Sequence, residues 1–333
     1  MSEMKRNINQ QDIYPIGMGC MNLSHAYGKP LDNHQAERIV LQALDLGINH
    51  FDTAALYGFG KNEALLGNVL KKNRQKIFLA SKCAMTGVDG KRVIDGRSAT
   101  LKKTCDEALQ RLQTDVIDLY YLHRVDKTVP LEDSIGALVD LIDAGKIKSI
   151  GLSEVSAETL RKVHQLYPVA ALQSEYSLWS RNPEIAVLET CRELNIAFVA
   201  FSPLGRGFLA NSLPTLEAVD YLEDNDLRRN MPRFQSEHWP KNVALLKQYI
   251  EIARKAECTP AQLALAWLLQ QGDYICPIPG TTSLTHLEEN YRATKVKLSA
   301  DIIERVEHLI NQNSISGARY NTATQQEITT EEF

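Results

Sequence analysis

Short apolar runs recur along the chain, and between them the apolar positions widen to a helical period. The runs, rich in β-branched and aromatic residues, predict eight strands: Pro15–Cys20, Asn49–Thr53, Ile77–Lys82, Val116–His123, Ser149–Ser153, Ala170–Tyr176, Ala197–Ser202 and Tyr274–Ile278. Helices are predicted at about 34–46, 61–72, 98–113, 131–144, 156–166, 183–194 and 260–271, with a further helix N-terminus near Leu284. Gly47, Gly145 and Gly272 stand where a helix end calls for a left-handed residue. Thr259-Pro260 reads as an N-cap followed by proline in the first turn. Regular alternation of strand and helix predicts parallel strands joined by crossover helices. Eight such units point to one closed (β/α)8 TIM barrel, with long loops on its C-terminal face. An open doubly wound sheet is the alternative. No GxGxxG follows the first strand, however, and Gly17-Met18-Gly19 lacks the third glycine.

Length agrees with one large domain. The chain has 333 residues, and α/β barrels run to ~250 plus insertions. The barrel is expected over about residues 13–312, followed by a polar tail, Asn313–Phe333. Two connections are unusually long: 84–97 after the third strand and 205–240 after the seventh. Loops of that length in a compact domain are commonly functional. The segment 205–240 is expected to be mobile until a dinucleotide orders it. For the tail, packing over the barrel mouth and disorder are both open.

Net charge is −4 and the isoelectric point near 6.1, so neither nucleic acid nor an anionic membrane is expected as a partner. The start, Met1-Ser2-Glu3-Met4-Lys5-Arg6, lacks the apolar core of a signal peptide, and no apolar run reaches the ~20 residues of a membrane span. A soluble, cytoplasmic protein is the expectation. Six cysteines without a CxxC pair argue against a disulfide framework or a zinc site. Most should be apolar fillers, but Cys20 and Cys83 fall at the mouth of the expected site.

Four polar residues close successive apolar runs or follow them directly: Asp52, Tyr57, Lys82 and His123. The carboxyl ends of barrel strands are where such enzymes keep their chemistry. A tyrosine titrating near ~10 is a poor acid until a neighbouring ammonium stabilises its phenolate. Lys82 can supply that charge, Asp52 can hold the lysine, and His123 can donate a hydrogen bond to a carbonyl oxygen. Each residue alone has an ordinary structural explanation; the set at successive strand ends does not.

Asp52-Thr53-Ala54, Tyr57-Gly58 followed by Asn62-Glu63, Ser81-Lys82 and Leu122-His123-Arg124 resemble the motifs of the aldo-keto reductase family. The resemblance covers nearly the whole chain. It extends to residues 150–160, 173–183, 202–209 and 229–239, where the chain is similar to the branch that reduces pyridoxal, indole alkaloids and small aldehydes. It implies a reductase that passes hydride from NADPH to an aldehyde or ketone, with Tyr57 as proton donor and NADP(H) as the cofactor. Aldehydes should react faster than ketones, and no metal is implied. Ser153, Glu154 and Gln173 correspond to residues that hold the nicotinamide amide, although Glu154 stands where asparagine is commoner. Phe201 corresponds to the ring that stacks on the nicotinamide, and its face serves as tyrosine's would. Gly19, Met21 and Asp52 also fall at cofactor-contacting positions. Ser202, Leu204, Arg206 and Gly207 belong to the loop under the pyrophosphate, where Arg206 would neutralise charge. Gly280, Thr281, Thr282, Ser283 and His286 match the site of the adenosine 2′-phosphate beside a helix N-terminus, and Glu289 and Asn290 match adenine contacts. Members that prefer NADPH often carry Lys or Arg here; in this chain only His286 can bear a positive charge.

Trp179 and Phe59 are candidate walls of an apolar substrate pocket. A rival function is a cofactor-binding regulatory subunit resembling the β-subunits of potassium channels. A barrel hydrolase or isomerase would call for paired carboxylates or metal ligands at strand ends, and neither pattern is present. The expected partner is a small carbonyl compound.

Overall fold

In the computed structural model, residues 5–333 are described; Met1–Met4 of the N-terminal segment discussed above lie outside the described residues. Eight parallel strands follow one another around the sheet: β1 Met18–Gly19, β2 His50–Asp52, β3 Phe78–Cys83, β4 Leu119–Leu122, β5 Ile150–Ser153, β6 Val169–Glu175, β7 Ala197–Phe201 and β8 Ile275–Pro277. Two backbone bonds join the first strand to the last, Gly17 N–H to Pro277 O at 2.9 Å and Gly19 N–H to Pro279 O at 3.2 Å. All eight expected strands are present, six of them shortened at their ends and two, β3 and β6, of the expected length but shifted by one residue.

Side-chain alternation along these strands positions the site. Phe78 and Ala80 on β3, Leu119 and Tyr121 on β4, Ala171 on β6 and Val199 on β7 fill the barrel interior. Two residues beyond them, on the same inward face, come Lys82, His123, Gln173 and Phe201. The interior is thus apolar below and polar at the carboxyl end. Gly151 on β5 has to be small, because a Cβ there would lie 2.4 Å from the Tyr121 ring.

Helix ends follow the expected chemistry in most places. Thr259 forms a full capping box with Gln262, and Gly47 and Gly145 are left-handed, at φ +88° and +69°. Gly272 is a correction. Its φ lies outside the left-handed range, and its smallness is needed because a Cβ would meet the Tyr274 ring at 2.6 Å. Several elements were not anticipated. A hairpin, Arg6–Ile8 with Gln11–Ile13, plugs the amino-terminal end of the barrel with Ile8 and Ile13. The 84–97 connection contains a second hairpin, Met85–Val88 with Lys91–Ile94. Helices Trp239–Lys255 and Ala300–Leu309 pack outside the barrel. No described helix is long and apolar enough to cross a membrane.

Candidate active site

Asp52 ends β2, Lys82 lies one residue from the end of β3, and His123 directly follows β4. Pairing of adjacent strands brings them together: Asp52 is opposite Ala80, and Lys82 is opposite Tyr121. Tyr57 enters from a one-turn helix after β2, where left-handed Gly58 and Phe59 fold the chain back. The Lys82 ammonium is fully buried and donates to Asp52 Oδ1, to Thr53 O at 2.7 Å and to Tyr57 Oη at 3.3 Å. Gln173 Nε2 donates to the other Asp52 oxygen at 2.7 Å. The His123 ring meets the Tyr57 ring edge-on, with centroids 6.1 Å apart. All four expected catalytic residues therefore form one cluster.

The electrostatics correct one expectation. Burial raises the Tyr57 pKa, and the Lys82 charge opposes that rise without cancelling it. Lys82 therefore limits the cost of a phenolate rather than producing one at neutral pH, and Tyr57 keeps its proton to give. For Lys82, burial disfavours the charge, but Asp52 and Tyr57 together outweigh it and raise the pKa. Burial, then the charges of Lys82 and Arg124, hold His123 well below its ordinary value, so the imidazole is neutral. Its Nδ1 is enclosed without a partner, which leaves Nε2 as the nitrogen open to the cavity. Cys20 and Cys83 are inert: both are buried, and desolvation pushes their thiols far up.

Asn62 and Glu63 act one layer behind. Asn62 accepts from Thr53 Oγ1 at 2.6 Å and donates to Cys20 O at 2.8 Å. Glu63 is buried, accepts from Ser81 at 2.6 Å and pairs with Arg111 at 2.7 Å. These contacts fix the ends of β2 and β3.

A cavity of about 760 Å³ runs from Tyr57 and His123 across the carboxyl end of the barrel to His286, Glu289 and Asn290. Gly19, Met21, Asp52, Ser153, Gln173, Phe201, Ser202, Leu204, Arg206, Gly207, Gly280, Thr281 and Thr282 line it as expected. Three expected cofactor residues behave differently. The Glu154 carboxylate is turned away, held in a buried ion pair with Arg319 at 3.0 Å and by the Glu175 N–H at 3.0 Å. A left-handed backbone at Glu154, φ 56°, sets that direction. Ser283 caps helix Leu284–Arg292 by accepting from His286 N–H, and does not face the cavity. Arg206 does line it, but its guanidinium is already paired with Glu175 at 2.7 Å and is not a free counter-charge. Trp179 and Phe59 do not line the cavity. Trp179 stacks on Phe208 in the core at 4.2 Å, and Phe59 is exposed against Gly87.

The walls suit a dinucleotide. Left-handed Ser202, Gly205, Arg206 and Gly207 turn the 202–207 loop tightly on itself, with Gly205 N–H donating to Ser202 O at 2.9 Å and Gly207 N–H to Leu204 O at 3.1 Å. A Cβ at Gly280 would lie 2.5 Å from Asn22 Oδ1 and 2.9 Å from Gly19 O, so glycine lets these two parts of the wall pack together. Asn211 Oδ1 and Asn290 Oδ1 are buried on the wall without a hydrogen-bond partner. Such atoms are costly unless a polar ligand meets them.

Sequence reasoning missed the upper wall. Tyr27 and His25 come from the loop after β1, Met85 and Arg92 from the hairpin, and Tyr320, Asn321 and Thr324 from the tail. Of the two possibilities for the tail, packing holds. Lys127 donates to Gln326 O at 2.6 Å, Asn182 to Glu331 O at 3.1 Å, and Arg92 pairs with Glu327. The 205–240 segment consists of short turns tied across the cavity, Leu227 N–H to Ala26 O at 2.9 Å and Asn225 Nδ2 to Gly28 O at 3.0 Å.

Residues 15–311 match the Aldo/keto reductase family. Probable aldo-keto reductase 1 of Glycine max is 40% identical over 312 residues, covering 93% of this chain and 89% of that protein. Aldo-keto reductase yakc of Schizosaccharomyces pombe, whose name specifies NADP(+), is 41% identical over 327 residues, covering 96% and 95%. Among solved structures, a glycerol dehydrogenase from Gluconobacter oxydans superposes with a TM-score of 0.83 at 26% identity, covering 93% and 95% of the two chains. The holo form of an aldo-keto reductase from Bacillus halodurans gives 0.76 at 26% identity, covering 96% and 99%.

Proposed function

The chain belongs to the aldo/keto reductase family, and we propose that it reduces aldehydes, and ketones more slowly, to alcohols with NADPH and with Tyr57 as proton donor. The observation that carries the reading is the buried Lys82 ammonium, bonded at once to Asp52 and to the Tyr57 hydroxyl at 3.3 Å, at the floor of a cavity suited to a dinucleotide.

When bound, the reduced nicotinamide supplies the hydride. Ser153 and Gln173 are the residues that would hold its amide, and Phe201 would cover one ring face. The 202–207 loop would hold the pyrophosphate, and Thr281, Thr282, His286, Glu289 and Asn290 the adenosine end. The rest is done by the protein. Tyr57 Oη and His123 Nε2 donate hydrogen bonds to the substrate oxygen and polarise the carbonyl before hydride arrives. Negative charge then developing on that oxygen is met by the Tyr57 proton, and Lys82 stabilises the phenolate left behind. Asp52 keeps Lys82 charged and aimed, and Gln173 keeps Asp52 in place. His123 stays neutral throughout and serves as a hydrogen-bond donor.

Initial rates of NADPH and NADH oxidation with a panel of aldehydes and ketones test the proposal. Reduction of several aldehydes, faster than of matched ketones, supports it. Tight NADPH binding without oxidation by any carbonyl compound would support a regulatory cofactor-binding role instead.

A further inference from the structure

We propose that Arg124 is an anion anchor, so that the site favours short aldehydes carrying a carboxylate near the reacting carbon; the inference rests on the carbonyl-reductase reading above. Arg124 directly follows His123 and is 8% exposed on the cavity wall. Its Nη1 donates to His123 O at 2.7 Å and to Ser153 Oγ at 3.3 Å, both uncharged acceptors. Its Nε is buried and has no partner. Among the described residues, no carboxylate lies within ion-pair distance of this guanidinium.

Its neighbours differ. Lys82 pairs with Asp52, Arg206 with Glu175, Arg228 with Asp226, and Arg319 with Glu154. Arg233 also lacks an acid, but it bonds Trp179 O, Ser180 Oγ and Gly317 O and does not reach the cavity. The nearest compensating carboxylate, Glu154, feels the Arg124 charge but is directly paired with Arg319, so the Arg124 guanidinium has no anion in contact, and one entering the cavity could bond it directly. Position identifies the ligand. Arg124 bonds the carbonyl of His123, so it belongs to the reacting end of the cavity and not to the adenosine end. Arg92 adds a second cation on the same wall, held by Glu327 of the tail. Met21, Leu56 and Met85 supply apolar surface there, enough for a few methylene groups between carbonyl and carboxylate. The carboxylate is a spectator. Hydride forms the new C–H bond, Tyr57 gives the O–H proton, and NADPH is oxidised.

The test compares kcat/KM for 4-oxobutanoate and its methyl ester in wild type, Arg124→Gln and Arg124→Lys. A charge-assisted hydrogen bond predicts that wild type favours the acid by ~10–100-fold. In Arg124→Gln the loss on the acid should exceed the loss on the ester by a similar factor, and Arg124→Lys should recover part of it. Fluorescence titration should show that Arg124→Gln still binds NADPH. A wild-type preference for the ester, or equal losses on both substrates, overturns the anchor and leaves the reductase reading standing. Failure of wild type to reduce either compound or any neutral aldehyde overturns both. Should Arg124→Gln not fold, the wild-type acid-to-ester ratio decides alone.

Discussion

Around Lys82 the cavity floor is closed, and the Lys82 charge is matched before any ligand arrives: ammonium to the Asp52 carboxylate, carboxylate to the Gln173 amide. Around Thr281–His286, at the other end, there is no Lys or Arg, only hydroxyls, backbone N–H groups and one histidine beside a helix N-terminus. The 202–207 loop between them has an arginine whose charge is already taken by Glu175. The difference separates two tasks. Proton transfer needs a fixed charge at one atom, and burial makes that charge effective because little water screens it. Holding a mobile coenzyme needs affinity that can be released, which several modest hydrogen bonds provide.

The largest way to break this contrast is Lys82→Met. It leaves Asp52 buried without its partner, which typically costs ~3–5 kcal/mol of stability, and it removes the charge that supports the Tyr57 phenolate. Turnover should nearly vanish and the denaturation midpoint should fall; a pH–rate profile identical to wild type would refute the role of Lys82. Asp52→Asn should do less, because it orients the ammonium without exchanging a proton.

Arg319→Met tests whether the tail belongs to the closed end. It unpairs buried Glu154, so a loss of ~3–5 kcal/mol in denaturant unfolding is expected. Unchanged stability would mean that the tail is dispensable to the fold.

His50 sharpens the comparison through pH. It lies beneath Asp52, fully buried with both ring nitrogens unpartnered, and burial lowers its pKa to about 4. The unfolded chain therefore binds this proton more readily than the folded one between pH ~6.5 and about 4. Stability conferred by neutral His50 is complete above that window and declines as the pH falls through it, by on the order of 3 kcal/mol. His50→Leu should flatten the decline; an unchanged acid limb would assign it to other groups.

At the open end the expected effect is smaller. Two or three contributions in all, from hydroxyls and a helix N-terminus at ~1 kcal/mol each, favour NADPH over NADH by roughly ten- to a hundredfold. His286→Arg should widen that ratio. Equal binding of both coenzymes by wild type would show that this wall does not read the 2′-phosphate.

Much of the floor was legible in the sequence because strand alternation is local. Once β2, β3 and β4 are recognised, Asp52, Lys82 and His123 must point inward at their carboxyl ends. The upper wall was not legible, for a physical reason. Tyr320 reaches the cavity because Arg319, ten residues past the last long helix, finds Glu154 across 165 positions of sequence. No local period announces such a pair. The same bond explains why Glu154, adjacent to Ser153, turns away from the cavity; a separate long-range pair, with Glu175, leaves Arg206, in a loop that faces it, no spare charge. The amino-terminal hairpin was missed because three-residue strands are too short to show alternation.

The most direct test of the account removes one oxygen atom and leaves both ends of the cavity otherwise intact. Tyr57→Phe keeps the ring against His123 and deletes the proton donor. NADPH binding by fluorescence titration should be retained, while kcat for an aldehyde that the wild type reduces well should fall by ~10²–10⁴-fold. A Tyr57→Phe enzyme that reduces the same aldehyde at the wild-type rate would contradict the assignment of Tyr57 as the acid.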